Sequence, residues 1–277
     1  MTRIQRALAD AARALTGVSD TPRLDAELLM AHALRMERDQ LLLWPPAVTA
    51  PEEFAPLLER RRSGEPVAYI VGRRAFWNIE LEVGPGALIP RPDSETLIAA
   101  AVEHFEGTAG PARILDLGTG PGTLLLAALD QWPRASGLGV DSSPAALNYA
   151  RANAERLGLA NRAEFRLGSW AEGITEEVDL LLCNPPYVAA GAPLGPGVAE
   201  HEPAGALFGG PDGLDEYRRL APQIARLIAR GGLAAVEIGA DQAAAAAALF
   251  AACGVLPVPK RDLAGRPRAL LIQVNQQ

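Results

Sequence analysis

The first apolar positions of the chain repeat at helical spacing. Ile4, Leu8, Ala11 and Leu15 fall on one face, the 3.6-residue period of an amphipathic helix. A second run, "TPRLDAELLMAHAL", opens with Thr21 as an N-cap candidate and Pro22 at the first helical position, where a missing N–H is no loss. Pro51 and the two glutamates after it open another helix, which ends near Ser63-Gly64. Residues 1–64 therefore predict a small domain of about four helices. The pattern then changes. "VAYIVG" and "AFWNIELEV", within residues 65–90, are rich in β-branched and aromatic residues and alternate in part. They predict a β-hairpin linking two domains. Asp93 is the N-cap candidate for a helix from Ser94 to about Phe105.

From Arg113 onward, short apolar runs alternate with helical ones. "RILDLG", "SGLGVD", "AEFRLGS", "VDLLLCN", "LAAVEIG" and "RALLIQV" read as strands. Between them "LLLAALDQW", "PAALNYARANAERLG", "LDEYRRLAPQIARLIARGG" and "DQAAAAAALFAACG" read as helices, the third bent or broken at Pro222. The alternation predicts an α/β domain over residues 91–277, a parallel doubly wound sheet with helices on both faces.

The totals narrow the possible functions. A chain of 277 residues suffices for one large domain and one small one. The formal net charge of -7 argues against gripping duplex DNA by its phosphates, although a local basic cleft stays open. Two cysteines, Cys183 and Cys253, are too few for a disulfide framework or a tetrahedral metal centre, and no metal site is expected. The N-terminal pattern lacks the apolar core of a signal peptide. The longest apolar stretch, Ala243–Val258, carries Gly254 and Pro257 and falls short of the roughly 20 residues a membrane span needs. A soluble, cytoplasmic protein is expected. The Arg60–Arg62 run reads as a solvated helix end, or more sharply as a surface for a protein partner.

Two stretches carry chemistry. In "DLGTGPG", Asp116–Gly122, Gly118 and Gly120 allow a tight turn and close approach of backbone to a ligand. Pro121 suits the first turn of the helix after the loop, whose N–H groups face the loop. Asp141 ends the next strand about 20 residues after Gly120, where a carboxylate can accept hydrogen bonds from both ribose hydroxyls of a nucleoside cofactor. The G-x-G-x-G spacing differs from the G-x-G-x-x-G of dinucleotide binders. A nicotinamide or flavin dinucleotide stays open, but "DLGTGPG" more closely resembles the S-adenosylmethionine (AdoMet) loop, which must accommodate an amino acid and one adenosine without a pyrophosphate. Asp116 at the head of the loop is placed to orient the methionyl part.

The second stretch is "VDLLLCNPPY". An apolar strand stops on Asn184, Pro185 and Pro186 and then presents Tyr187. The strand ends at the cofactor cleft, because ligands of open α/β sheets bind at the carboxyl ends of the strands. Proline has no N–H and a fixed φ, so the Pro185 carbonyl is held out of the ladder. With the Asn184 side-chain oxygen it forms a pair of acceptors matched to one planar –NH2 group. The Tyr187 ring offers a face on which that group can stack. Two aligned acceptors turn the nitrogen lone pair toward the methyl and favour positive charge on nitrogen in the transition state. Cys183 beside Asn184 reads as a small buried hydrophobe. Two acceptor classes remain at this point: the amino group of adenine or cytosine in nucleic acid, and a side-chain amide in a protein.

The flanking segments distinguish them. "GEPVAYIVGRRAFWNIELEVGPGALIPRPDSETLI", "ILDLGTGPG", "NPPY" and "EPAGALFGGPDGLDEYRRL" come one after another behind a helical N-terminal domain. In this order they resemble the PrmC/HemK family of protein-(glutamine-N5) methyltransferases over about the whole chain. The resemblance implies a Rossmann-like AdoMet-dependent methyltransferase sheet. It also implies methyl transfer from AdoMet, leaving S-adenosylhomocysteine, to the Gln of the Gly-Gly-Gln loop of class 1 peptide chain release factors. Nucleic acid is then not expected as a direct partner. Gly118, Thr119, Gly120, Pro121, Gly122, Asp141 and Asn184 would bind AdoMet, with Trp170 packed against the adenine. Asn184, Pro185, Pro186 and Tyr187 would hold the Gln amide, with Asn184, Pro185 and Tyr187 acting in catalysis. Ile89–Pro92 would wall the site, and the N-terminal helices would recognise the factor. Two positions depart from the family pattern: Ser169 stands where an acid is common before the Trp, and Ala204 where Arg commonly comes after "EP".

Overall fold

The computed structural model describes residues 3–43 and 49–273. Met1 and Thr2 of the first helical pattern and Val274 of the expected last strand lie outside them. The chain forms two compact units, Met1–Arg73 with Pro193–Glu202, and Arg74–Ala192 with Pro203–Gln277.

The first unit contains helices α1 (Arg3–Ala14), α2 (Pro22–Ala33), α3 (Arg38–Leu43), α4 (Phe54–Arg62) and α5 (Val67–Val71). The periodic positions Ile4, Leu8 and Ala11 pack with Leu29, Met30, Leu41, Phe54 and Ile70, so this unit has its own core. Thr21 and Pro22 open α2 as expected, but the Thr21 hydroxyl bonds Asp25 and caps no backbone N–H. "VAYIVG" is a helical turn, not the first strand of the hairpin. The amides of Tyr69 and Ile70 close on the Pro66 carbonyl, and Gly72 ends the turn at φ +75. Ala68, Tyr69 and Ile70 are buried, and that tertiary burial overrides the β preference of Val and Ile. The Arg60–Arg62 run is also not a uniformly solvated end. Arg61 is buried, ion-paired to Asp25 at 2.7 Å and bonded to the carbonyls of Val18, Gly64 and Glu65. Only Arg60 and Arg62 face solvent.

The hairpin is the ribbon β1 (Arg73–Phe76) and β2 (Ile79–Glu82). A 3-10 turn, Pro92–Ser94, leads into α6 (Glu95–His104). Asp93 does not cap α6; it pairs with Arg268 at 2.8 Å, and Ser94 takes the N-cap position. Next come β3 (Arg113–Leu117), α7 (Thr123–Gln131), β4 (Ser136–Asp141), α8 (Pro144–Arg156), β5 (Ala163–Leu167) and β6 (Val178–Cys183). After α9 (Val198–His201), which belongs to the first unit, come α10 (Asp215–Ile224), β7 (Ile228–Glu237), α11 (Ala243–Ala251), β8 (Val258–Arg261) and β9 (Pro267–Gln273).

The seven strands lie in the order β5-β4-β3-β6-β7-β9-β8. The sheet is mixed rather than wholly parallel, because β9 runs antiparallel to both β7 and β8. The Asp262–Arg266 turn between β8 and β9 is too short for the crossover that a parallel pair needs. β8 was not legible as a strand: "VPKR" is a polar edge with a proline, which only an edge tolerates. The helix expected to reach Gly232 stops at Ile224, two residues after Pro222, whose ring nitrogen cannot donate within the helix. Ile228 instead starts β7, paired with Val178 ahead of a bulge.

Strand order reverses between β3 and β6, so the loops after these neighbours open a crevice at their carboxyl ends. The chain leaving β6 is held by "LFGG": Val188 donates to the Leu207 carbonyl, Gly209 to Val188 and Ala190 to Gly210, each at 2.9 Å. A Cβ on Gly209 would lie 2.5 Å from the Pro186 carbonyl oxygen and 2.9 Å from that of Gly213. Both obstacles are backbone, so they cannot swing aside. Gly209→Ala is therefore expected to destabilise the fold by about 1–3 kcal/mol, the usual cost of overpacking. Urea denaturation measures it, and an unchanged midpoint would show that the loop gives way freely.

Candidate active site

A cleft of about 480 Å³ lies at the carboxyl ends of β3, β4 and β6, a size suited to a small-molecule cofactor. Its floor is the glycine loop. The amides of Gly118 and Thr119 both donate to the Val140 carbonyl, at 2.9 and 3.0 Å, tying the loop to β4. Gly118 and Gly120 have φ of +74 and +57, a region costly for other residues. No atom lies within 4 Å of where a Cβ on Gly120 would stand, so the turn is open to a ligand there. Gly118, Thr119, Gly120 and Pro121 line the cleft. Gly122 does not. It opens α7 at φ +87, where a Cβ would come within 2.7 Å of Leu126, so its role is close packing.

Two acids flank this loop. Asp141 Oδ2 accepts from the Gly120 amide and Oδ1 from the Ser143 amide, each at 2.8 Å. A carboxylate can accept more than these bonds, and Asp141 lines the cleft. Burial raises its pKa, and the backbone amides oppose the rise. Asp116 is wholly buried at the end of β3. Its Oδ2 accepts from the Thr119 hydroxyl at 2.7 Å and the Leu125 amide at 3.1 Å, while Oδ1 has no partner. Desolvation pushes its pKa up to about 7. A buried acceptor without a donor is costly, and this one belongs to a residue of the cleft wall.

On the opposite wall, Trp170 sits at φ +52, a strained conformation for a bulky residue. Its indole N–H donates to Glu216 Oε2 at 2.7 Å, and its ring lies 3.1 Å from a Cβ placed on Gly118. Arg219 pairs with Glu216 at 3.0 Å and donates to the Ser169 hydroxyl at 2.9 Å. The acid on this wall is thus Glu216 of α10, beside a serine at position 169. Glu216 and Arg219 line the cleft; both lie within "EPAGALFGGPDGLDEYRRL", but the sequence reading gave them no role, and the pairing of α10 with the loop after β5 brings them to the site. Ala204 is exposed and does not line the cleft.

At the tip of β6, Asn184 is half-buried and its Nδ2 donates to Ser94 Oγ at 3.0 Å. The carbonyl end of its amide, Oδ1, is thereby left for the cleft. Pro186 lines the cleft, whereas Pro185 is buried and does not. Tyr187 also lies outside the lining. Its ring packs on the core beside β7, its hydroxyl donates to Glu237 Oε1 at 3.1 Å, and its carbonyl accepts from Gln242 at 2.9 Å. Of the expected wall Ile89–Pro92, Pro90 and Arg91 line the cleft and Ile89 and Pro92 do not; Leu88 and Ser94 line it as well. Cys183 is buried and desolvation pushes its thiol pKa well up, which suits the reading as an unreactive hydrophobe. Ser94 and Glu237 were missed at the level of sequence: each is an ordinary residue within an apolar or turn pattern.

These residues fit AdoMet by donor and acceptor chemistry. The unpartnered Asp116 oxygen suits an ammonium, the open Gly120 turn suits close approach of the ligand, and Asp141 suits a ribose diol. The Trp170 indole supplies an apolar ring beside them.

Comparison with known proteins agrees. The PrmC N-terminal domain model matches residues 6–72 and a methyltransferase domain model matches residues 110–241. The release factor glutamine methyltransferase of Rhodospirillum rubrum is 45% identical over 258 residues, 91% of this chain and 79% of that protein. The enzyme of the same name from Caulobacter vibrioides is 43% identical over 91% of this chain and 89% of its own length. Among solved structures, the 16S rRNA N2 G1207 methyltransferase of T. thermophilus, in complex with AdoMet and guanosine, superimposes with a TM-score of 0.52 at 19% identity. It covers 73% of this chain and 50% of that one, and shows the shared fold. With 45% identity across nine-tenths of its length and both domain models in order, the chain belongs to the PrmC/HemK family of AdoMet-dependent release factor glutamine methyltransferases.

Proposed function

We propose that this chain methylates the side-chain amide nitrogen of a glutamine in a peptide chain release factor, the Gln of the Gly-Gly-Gln loop of class 1 factors. One observation carries the chemistry: the Asn184 amide is turned by Ser94 so that its carbonyl end is free, at the tip of the strand beside the glycine loop. Bound AdoMet supplies a methyl on a sulfonium, an electrophile that needs only an aligned lone pair.

The residues of the chain provide that alignment. Asn184 Oδ1 accepts one hydrogen of the substrate –NH2. The Pro185 carbonyl is the proposed second acceptor, kept from ladder pairing by the two prolines. Holding both hydrogens draws the nitrogen lone pair out of conjugation and toward the methyl. The acceptors also favour the positive charge that develops on nitrogen. A methylated amide nitrogen bearing that charge loses its proton readily to water, so no strong base is required. Asp141 holds the ribose, Asp116 the amino group, and Trp170 the adenine.

A single glutamine in a short pocket buries too little surface to select one protein among many. The helical unit, with its own core, is the proposed recognition surface for the body of the factor, and a cytoplasmic location belongs to the same reading. Family membership and the net charge of -7 favour a protein acceptor over a nucleic-acid base.

A methylation assay with radiolabelled AdoMet tests the acceptor. Label is expected in intact release factor. It should be absent from a factor whose loop Gln is changed to Ala and from duplex DNA, and weak in a short Gly-Gly-Gln peptide that lacks remote contacts. Label in DNA or in the Ala variant overturns the reading.

Asn184→Ala is expected to lower kcat by roughly 10²–10³-fold, as for loss of one preorganised hydrogen-bond partner, with a smaller change in AdoMet affinity. Near-normal turnover would remove the role given to Asn184.

Asp141→Ala should weaken AdoMet binding. Hydrogen bonds to charged groups contribute about 1.5–3 kcal/mol, so the Kd should rise at least about tenfold. Calorimetry decides, and an unchanged Kd sinks the ribose assignment.

A further inference from the structure

Behind Asn184 lies a chain of polar groups that the glycine loop and the Asn-Pro-Pro-Tyr segment do not account for. Asn184 Nδ2 donates to Ser94 Oγ at 3.0 Å. The Ser94 hydroxyl in turn bonds the carboxyl of Glu237, and the Tyr187 hydroxyl donates to Glu237 Oε1 at 3.1 Å. Glu237 is 0% exposed and Ser94 2%. The four residues come from three distant parts of the chain: the turn before α6, the end of β7, and the loop after β6.

An asparagine amide has nearly the same shape in its two flips, and only hydrogen bonding decides which end faces a ligand. Ser94 has one hydrogen. When that hydrogen goes to the Glu237 carboxylate, Ser94 Oγ presents lone pairs and accepts from Asn184 Nδ2. The carbonyl end then faces the cleft. If Ser94 gave its hydrogen to Asn184 instead, the amide would flip and present –NH2 to a substrate –NH2, donor against donor.

We propose that Glu237 is a positioning residue that, through Ser94, fixes the Asn184 amide in its acceptor orientation and, through Tyr187, anchors the segment that carries it. This rests on the role given to Asn184 above.

The charge of Glu237 sets the direction of the relay. As a carboxylate it accepts from both hydroxyls. Protonated on the oxygen that Ser94 bonds, it becomes a donor to Ser94 and reverses the relay. Several groups face it. Arg268 of β9 lowers its pKa and Asp93 of the turn before α6 raises it; Cys183 of β6 and the hydroxyl of Tyr187 are alongside. Tyr217 of α10 bonds its carbonyl oxygen, not its carboxyl. Burial is the largest influence and places the pKa at about 7. The productive, ionised state therefore fills as pH rises through 7 and empties as pH falls.

The test compares wild type, Ser94→Ala, Glu237→Gln and Asn184→Ala on intact release factor at saturating AdoMet. Assays span about pH 6 to about pH 8, where a group with such a pKa changes charge. Wild-type kcat should show an acid limb near 7. Glu237→Gln, a permanently uncharged carboxamide, should have lower kcat and lack that limb. Ser94→Ala should also lose the limb and up to about 100-fold in kcat, the scale of a small misplacement of a reacting group. Its KM and AdoMet Kd should stay within about twofold, since the interaction acts on the transition state. A merely structural role would lower stability and leave the limb in place. If Glu237→Gln does not fold, the kcat and profile of Ser94→Ala decide alone. Wild-type turnover in Ser94→Ala, or an acid limb retained in either variant, overturns the proposal while an inactive Asn184→Ala keeps the reading beneath it. Full activity of Asn184→Ala overturns both.

Discussion

The parallel pairing of β3 with β6 is the constraint on which the site depends. Leu117 stands opposite Cys183 in the register. One residue beyond that pair, the chain turns into Gly118 on one strand and Asn184 on the other. The glycine loop and the Asn184 amide thus meet because two strands far apart in sequence end level with each other. A one-residue slip would turn every side chain of β6 to the opposite face, and Asn184 would leave the cleft. The apolar run "VDLLLC", buried almost throughout, makes such a slip prohibitive. Strand register therefore sets the geometry of the cleft.

Much of this was readable in the residues. The glycine loop up to Pro121, Asp141, Asn184 and Pro186 line one cleft, and each was named from a local signal: a turn that needs positive φ, or a strand end of fixed composition. The alternation of strand and helix gave the order of the main elements from Arg113 onward, without the short α9 and the edge strand β8. What was lost depended on contacts between distant segments. "VAYIVG" has strand composition yet is helical, because three consecutive residues are buried at once, which a half-exposed strand does not allow. Arg61 looked solvated beside Arg60 and Arg62 until Asp25 on α2 was placed next to it. Asp93 had a good capping sequence, but Arg268 of the last strand claimed its carboxylate.

The same limit hid half of the site. Glu216 and Ser94 acquire meaning only from Trp170 and Asn184, which lie 46 and 90 residues away. Tyr187 shows the converse. Its place in the motif suggested a stacking face, yet in the structure its ring packs on the core and its hydroxyl is engaged by Glu237. A motif identifies which residues are constrained. The tertiary partners decide which atom of each residue donates, accepts or packs.

Asp116 and Glu237 show how the two halves of the site differ energetically. Each is a wholly buried acid with one unpartnered oxygen, and burial brings each to a pKa of about 7. A folded pKa above the unfolded value means that the folded state binds protons more tightly. The stability each contributes is greatest below the unfolded value near 4 and is lost as pH rises toward 7. The enzyme thus keeps two groups that weaken the fold at neutral pH. Asp116 belongs to the cleft wall, so an ammonium arriving with the cofactor can satisfy its free oxygen, and ligand binding then offsets the desolvation. Glu237 faces no cleft. Among the described residues its ionised form is favoured by Ser94, Tyr187 and the charge of Arg268. A buried acid of this kind destabilises the fold unless its charge performs a task, and orienting Asn184 through Ser94, as proposed above, would be such a task.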